Sequence, residues 1–157
     1  MIVIPQPLIS LRKDFTLKSR IVPNILMTLI VGGALAYLGW THRPPIWTAV
    51  QAVGACLTVT GFVLWTLARF ELGSSLAVTA QAKQLVTSGL YAKLRNPIYY
   101  FGSLTIAGFI LVLGRPFWLL IFVLIIPMQI WRARVESRVL EEKFGEEYRN
   151  YRARTWF

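Results

Sequence analysis

Arg95, Asn96 and Pro97 stand together at the end of a long polar stretch, directly before an apolar run that begins at Tyr99. Pro97 pushes Asn96 out of helical geometry and suits the first turn of a helix starting there. Arg95 and Asn96 therefore belong at the mouth of a membrane helix, at the water boundary. Polar groups at such a place are expensive unless they pair with something. After Trp131 the chain turns charged again, and Glu136 is the first carboxylate of that tail. The helix mouth and the charged tail together read as a binding site for a polar, charged cofactor.

The elements that position these residues follow from composition. At 157 residues the chain has the length of one domain. Its hydrophobic share of 55% and mean hydropathy of +0.54 exceed those of soluble proteins. The apolar residues come in long runs, which indicates membrane spans. The net charge of +10 also suits a nucleic-acid partner, but basic residues flanking apolar runs are the topology signal of a membrane protein. The N-terminus does not read as a signal peptide, because the apolar run that follows is long enough to stay in the bilayer. One cysteine, Cys56, and one histidine, His42, exclude an internal disulfide and a zinc cluster. Cys56 reads as a small packing residue and His42 as an exposed loop residue.

Residues 1–20 read as a short helix on the headgroups or a frayed tail, since Pro5 and Pro7 argue against an early helix. A first span is expected from about Ile21 to Trp40, with Gly32 and Gly33 allowing close helix approach. A second is expected from about Ile46 to Ala68, with Gly54, Cys56 and Gly61 as its small-residue face. The polar stretch from Arg69 to Tyr91 is long for a connection and reads as an ordered cover. Tyr99–Leu113 and Phe117–Trp131 form a short apolar hairpin around Gly114-Arg-Pro116, with Pro127 set to kink the second arm. A charged helix follows, with Arg138 and Glu142 spaced as an ion pair and Phe144-Gly145 as its end. The expectation is an all-α integral-membrane bundle of about four transmembrane helices with a cytoplasmic C-terminal helix. It forms a single domain over residues 1–157: spans and cover loop over 1–86, cofactor-binding region over 87–157.

With four spans, the N-terminal segment, the middle stretch and the tail share one side and hold nearly all the basic residues; Arg43 and Arg115 lie on the other. The positive-inside rule puts both termini, Arg95 and Glu136 in the cytoplasm.

Gly89-Leu-Tyr91, Arg95-Asn-Pro-Ile-Tyr99, and Glu136 through Leu140 to Phe144-Gly145 with Tyr148 and Tyr151 resemble the isoprenylcysteine carboxyl methyltransferase family and its phospholipid methyltransferase relatives. The resemblance covers roughly residues 87–157. It implies a helical membrane methyltransferase dependent on S-adenosylmethionine, acting on a lipophilic small-molecule or lipid-linked acceptor among membrane lipids. Two positions depart from the family pattern: Asn96 replaces the usual histidine, and Glu136-Ser137 the usual acidic pair. On this resemblance Arg95 and Glu136 are the candidate catalytic residues. The candidate cofactor residues are Gly89, Tyr91, Arg95, Asn96, Pro97, Tyr99, Glu136, Leu140, Phe144 and Tyr148; no metal is expected.

Arg95 can bind the cofactor's carboxylate through a fork of donors. Glu136 can hold its amine or a ribose hydroxyl, and the aromatic rings can face the sulfonium or stack on adenine. The acceptor is expected to enter sideways from lipid, between the second span and the hairpin. Alone, Glu136 also reads as an i,i+4 partner of Arg132, and Arg95 as an interfacial anchor. Two rival classes fit parts of the pattern: a non-enzymatic membrane subunit, and a reductase like the NADPH-dependent sterol reductases. The residues leave the acceptor's identity and the oligomeric state open.

Overall fold

A computed structural model describes residues 6–42, 46–72 and 85–156, with side chains from Val22 onward. Most of the expected cover, residues 73–84, lies outside the described residues, as do residues 43–45 of the first loop.

The first helix, α1, runs from Gln6 to Thr41 without a break. The separate surface helix expected before Ile21 is thus its N-terminal part. Pro7 falls in the first turn, where the missing N–H has no intrahelical partner to lose, and Pro23 lies inside the helix. The second helix, α2, spans Ala49–Leu72. It starts three residues later than expected because Thr48 and Gln51 form a capping pair. The Thr48 backbone N–H donates to Gln51 Oε1 at 3.0 Å, and the Gln51 N–H donates to Thr48 Oγ1 at 3.3 Å. It also continues past Ala68, through Arg69 and Glu71.

The third helix, α3, spans Pro97–Val112, with Asn96 as its non-helical N-cap (φ −127°, ψ 58°) and Pro97 in its first turn. Gly114 (φ 65°) reverses the chain, a 3-10 segment covers Pro116–Ile121, and α4 runs from Phe122 to Phe144. The fourth apolar run and the charged helix are therefore one helix. Pro127 does not end it, and Gly145 alone (φ 53°) separates it from α5, Glu146–Arg154. Three segments are long and apolar enough to cross a membrane: Val22–Thr41, Ala49–Leu72 and Pro116–Phe144; Pro97–Val112 is apolar but shorter. The all-α membrane bundle is as expected.

The core lies between α2 and α3. The two are antiparallel, with Gly54 against Leu111 and Val112, Gly61 against Thr105, and Trp65 against Gly102. Glycine lets the backbones meet where a side chain would hold them apart. Cys56 is not part of this seam; it lies exposed, because two residues from Gly54 is the wrong spacing for the same helix face. The close fit also shuts the lateral route expected between the second span and the hairpin, along the α3 side.

Helix α4 is different. It has no buried residue, and two polar links tie it to α3: Tyr99 to Glu136, and Ser103 to Gln129 at 3.1–3.2 Å. α1 also runs antiparallel to α2, with Asn24 bonded to Arg69 and Gly32 against Phe62. All these registers agree. They bring the N-terminal half of α1, the ends of α2 and α4, the start of α3, and α5 to one end of the bundle.

A Cβ on Gly108 would lie 2.5 Å from the Thr58 nitrogen and 2.7 Å from the Gly54 oxygen, both backbone atoms. Gly108→Ala should therefore lower thermal stability in detergent by about 1–3 kcal/mol. Gly33→Ala should not lower the same melting curve and should raise it slightly, since nothing lies within 4 Å of its Cβ position and alanine favours the helix.

Candidate functional site

At that shared end the chain folds a short 3-10 turn, Gly89–Ala92, between the polar stretch and α3. Gly89 has φ 60°, a left-handed conformation that suits glycine. The Glu71 carboxylate, at the end of α2, occupies the space where a Gly89 side chain would be and accepts the Leu90 N–H at 2.8 Å. The turn is thereby fixed to α2. It presents Tyr91 inward, only 6% exposed.

The C-terminal segment closes over the same turn. Tyr151 Oη donates to the Tyr91 carbonyl at 2.8 Å. Trp156 pairs with Leu94 as a short parallel bridge: its N–H donates to Lys93 O at 2.8 Å and its carbonyl accepts the Arg95 N–H at 3.1 Å. Tyr148, 2% exposed, packs its ring 6.1 Å from that of Tyr151. Glu141 receives Arg149 and Arg152, each at 3.7 Å, so α5 is clipped to α4. The expected Arg138–Glu142 pair does not form among the described residues; the neighbouring Glu141 is the α4 carboxylate that pairs, and it faces α5.

The two candidate catalytic residues meet the same pair of tyrosines from different elements. Arg95 is close enough to Tyr151 for its charge to favour the ionised phenol, and Glu136 close enough to Tyr91 to oppose it. They form no ion pair with each other or with any described residue. The Nε of Arg95 is buried with no hydrogen-bond partner, an arrangement that invites an anion. Glu136 accepts the Tyr99 hydroxyl at 2.5 Å. Arg132, which its spacing suggested as the partner of Glu136, stands instead over the Tyr99 ring, 5.8 Å from the centroid.

Asn96 and Pro97 set the start of α3; Pro97 is fully buried and Asn96 half-buried. Leu140 and Phe144 continue the Glu136 face of α4, half-buried, with Lys143 5.8 Å from the Phe144 ring. Gly89, Tyr91, Arg95, Tyr99, Glu136 and Tyr148 thus gather at one end.

The candidate residues read from the sequence did not include Glu71, Arg132 or Tyr151, although Tyr151 stands in the family-like motif and Arg132 at i,i+4 spacing from Glu136. Glu71 left a signal: it is the only acidic residue between Asp14 and Glu136. Burial, with Tyr151, Glu71 and Glu136 nearby, pushes the Tyr91 phenol well above its ordinary range. Burial and the neighbouring Tyr148 push that of Tyr151 up to about 12, against the opposing pull of Arg95.

Helices of membrane length, with a tyrosine-lined polar centre at one end, define a small integral-membrane protein. The family model for phospholipid methyltransferase matches residues 49–147, from the first residue of α2 into the first turn of α5. The chain belongs to the phospholipid methyltransferase family. No curated protein and no solved structure gives a match. The matched region holds Glu71, Tyr91, Arg95, Tyr99 and Glu136, while Tyr148 and Tyr151 lie just beyond it.

A phenol whose pKa rises on folding stabilises the fold below its unfolded pKa, and that contribution is lost as pH rises through the folded value. For Tyr151 the window runs from pH 10 to about 12. Tyr151→Phe should lower stability near neutral pH by about 1 kcal/mol through its lost hydrogen bond. It should also shallow the alkaline loss of stability, as measured by melting temperature against pH.

Proposed function

We propose that the protein transfers a methyl group from S-adenosylmethionine to a lipophilic acceptor held in the membrane, at the end of the bundle where Arg95 and Glu136 lie. The observation that carries this reading is the buried, unpartnered Nε of Arg95 beside the Tyr91–Tyr151 pair. Family membership supports methyl transfer, and the residues present suit this cofactor. A guanidinium without a counter-ion fits an α-carboxylate, Glu136 fits an amine or a ribose hydroxyl, and tyrosine faces fit a sulfonium. When bound, the cofactor supplies an electrophilic methyl group on a positively charged sulfur.

The chain's own residues bind, orient and shield. Glu71 fixes the turn that carries Tyr91, and the Trp156 clasp fixes the backbone of Lys93 and Arg95. Methyl transfer depends on orientation more than on proton movement, so rigid placement of these groups is the main contribution asked of the protein. Tyr148, buried at 2% exposure, packs against Tyr151 and helps hold it. Glu136 holds its carboxylate against the Tyr99 hydroxyl proton. An amine, phenol or thiol acceptor must lose a proton, and Glu136 is placed to take it; a carboxylate acceptor needs no base. Because α3 seals against α2, the acceptor approaches on the α4 side, where two polar links bridge an otherwise open seam. The excess of basic residues at this end supports a cytoplasmic placement for it.

Calorimetry of the detergent-solubilised protein with S-adenosylmethionine tests the reading. Wild type should bind, and Arg95→Ala and Glu136→Gln should each weaken binding about tenfold or more, the worth of a charge-assisted hydrogen bond. Arg115→Ala, at the other end of α3, should bind as wild type. Equal affinity in all four proteins would remove the site, and displacement by NADPH would favour reductase chemistry.

A further inference from the structure

A second group of buried polar atoms lies between α1 and α2, bordering the centre just described, with the Arg69 guanidinium near enough to the Tyr91 phenol for the two to interact. Arg69 Nη2 donates to Asn24 Oδ1 at 3.1 Å, and the guanidinium stands 5.0 Å from the centroid of the Trp65 ring. Its Nε is buried without a partner, and among the described residues it forms no ion pair. The hydroxyls of Thr28 and Thr66 are also buried and unpartnered. The contacts Asn24–Arg69 and Gly32–Phe62 bracket these two threonines, so they occupy one layer of the seam. That layer lies one helical turn, about 6 Å, deeper in the bundle than Asn24. Three unmet polar atoms in one seam, one of them on an uncompensated cation, are costly to keep in an apolar surround.

We propose that this seam binds a glycerophospholipid, with its phosphate on Arg69 and its ester carbonyls on Thr28 and Thr66. Two levels of donor match two levels of acceptor: an anion at the membrane boundary, and neutral carbonyl oxygens one turn further in. The neighbouring outward residues, Leu26, Met27, Leu67 and Phe70, are apolar and exposed, as a lipid chain requires. Among the described residues no further charged side chain lines the seam, so the contacts available here are to the phosphate and the esters. The site is shared between α1 and the matched region: Asn24 and Thr28 precede residues 49–147, and Thr66 and Arg69 lie within them. The bound lipid is a fixed component of the fold, distinct from the methyl acceptor, and its binding is measured without reference to methyl transfer.

The test is thermal unfolding in neutral detergent micelles doped with dioleoylphosphatidylglycerol, its diether analogue, dioleoylglycerol or free inorganic phosphate. The expected result is a saturable rise in melting temperature with the diester phospholipid. The diether should give a weaker rise, and dioleoylglycerol or phosphate none. Arg69→Gln should abolish the effect. The double variant Thr28→Val/Thr66→Val keeps the cation and the side-chain shape. It should melt no lower than wild type without lipid, since apolar isosteres replace unmet hydroxyls, yet need at least tenfold more lipid for half-saturation. A rise that is equal in wild type and the double variant would overturn the proposal. So would a fall in the double variant's lipid-free melting temperature, or an equal response to inorganic phosphate.

Discussion

The constraint behind this fold is that α4 must join the bundle without an apolar seam, and the hydrogen bond from Tyr99 to Glu136 is one of the few contacts it makes with α3. In lipid, apolar faces gain nothing by leaving their surroundings for each other, so helices associate through close packing or polar contacts. The α2–α3 pair uses the first route and α4 the second. With no buried residue of its own, α4 meets α3 through Tyr99–Glu136 and Ser103–Gln129. Interhelical bonds of this kind contribute about 0.6 kcal/mol each on average, close to thermal energy. The helix is therefore secured mainly at its ends: by the turn at Gly114, and by α5, which Tyr151 and Trp156 fasten to the backbone of residues 91–95. The residue that joins the two halves of the fold is also the carboxylate of the candidate centre.

How much of this was legible in the sequence depended on the range of the interaction. Asn96-Pro97 fixed the start of α3 because a proline restricts its neighbour by local sterics alone. Gly114 and Gly145 marked reversals for an equally local reason, their positive φ. The clustering of basic residues in alternate connections correctly predicted that Arg95 and Glu136 would share an end of the bundle. Partnerships across the fold were not legible. The i,i+4 spacing of Arg132 and Glu136 suggested an ion pair, but a tyrosine from another helix reached the carboxylate first. The helix end placed at Ala68 by polarity was wrong because α2 leaves the apolar layer without stopping. That extension carries Arg69 and Glu71 to their partners.

Glu71 changes the accounting of charge at the centre. Where the sequence retained one carboxylate of an expected pair, the fold brings a second from α2 close to Tyr91, so that both act on the same phenol. The two are not equivalent. Glu71 is engaged with the Leu90 N–H and with the notch at Gly89, a structural duty. Glu136 bonds a single hydroxyl and remains exposed on its other side. Of the two, Glu136 has the spare acceptor capacity that a ligand can use.

The shortness of α3 ties this chemistry to the bilayer. Its 16 residues reach about 24 Å, against a hydrocarbon core of about 30 Å. If its far end reaches the opposite headgroups, then Pro97 and Tyr99 lie several ångströms below the near ones. Longer neighbours, α2 and α4, extend past them, and the turn at Gly89–Ala92 and the C-terminal segment pack over this end. A soluble, charged donor and a membrane-held acceptor meet at this level on the proposed reading. On the proposed reading, a helix too short to span creates the place where the two substrates meet.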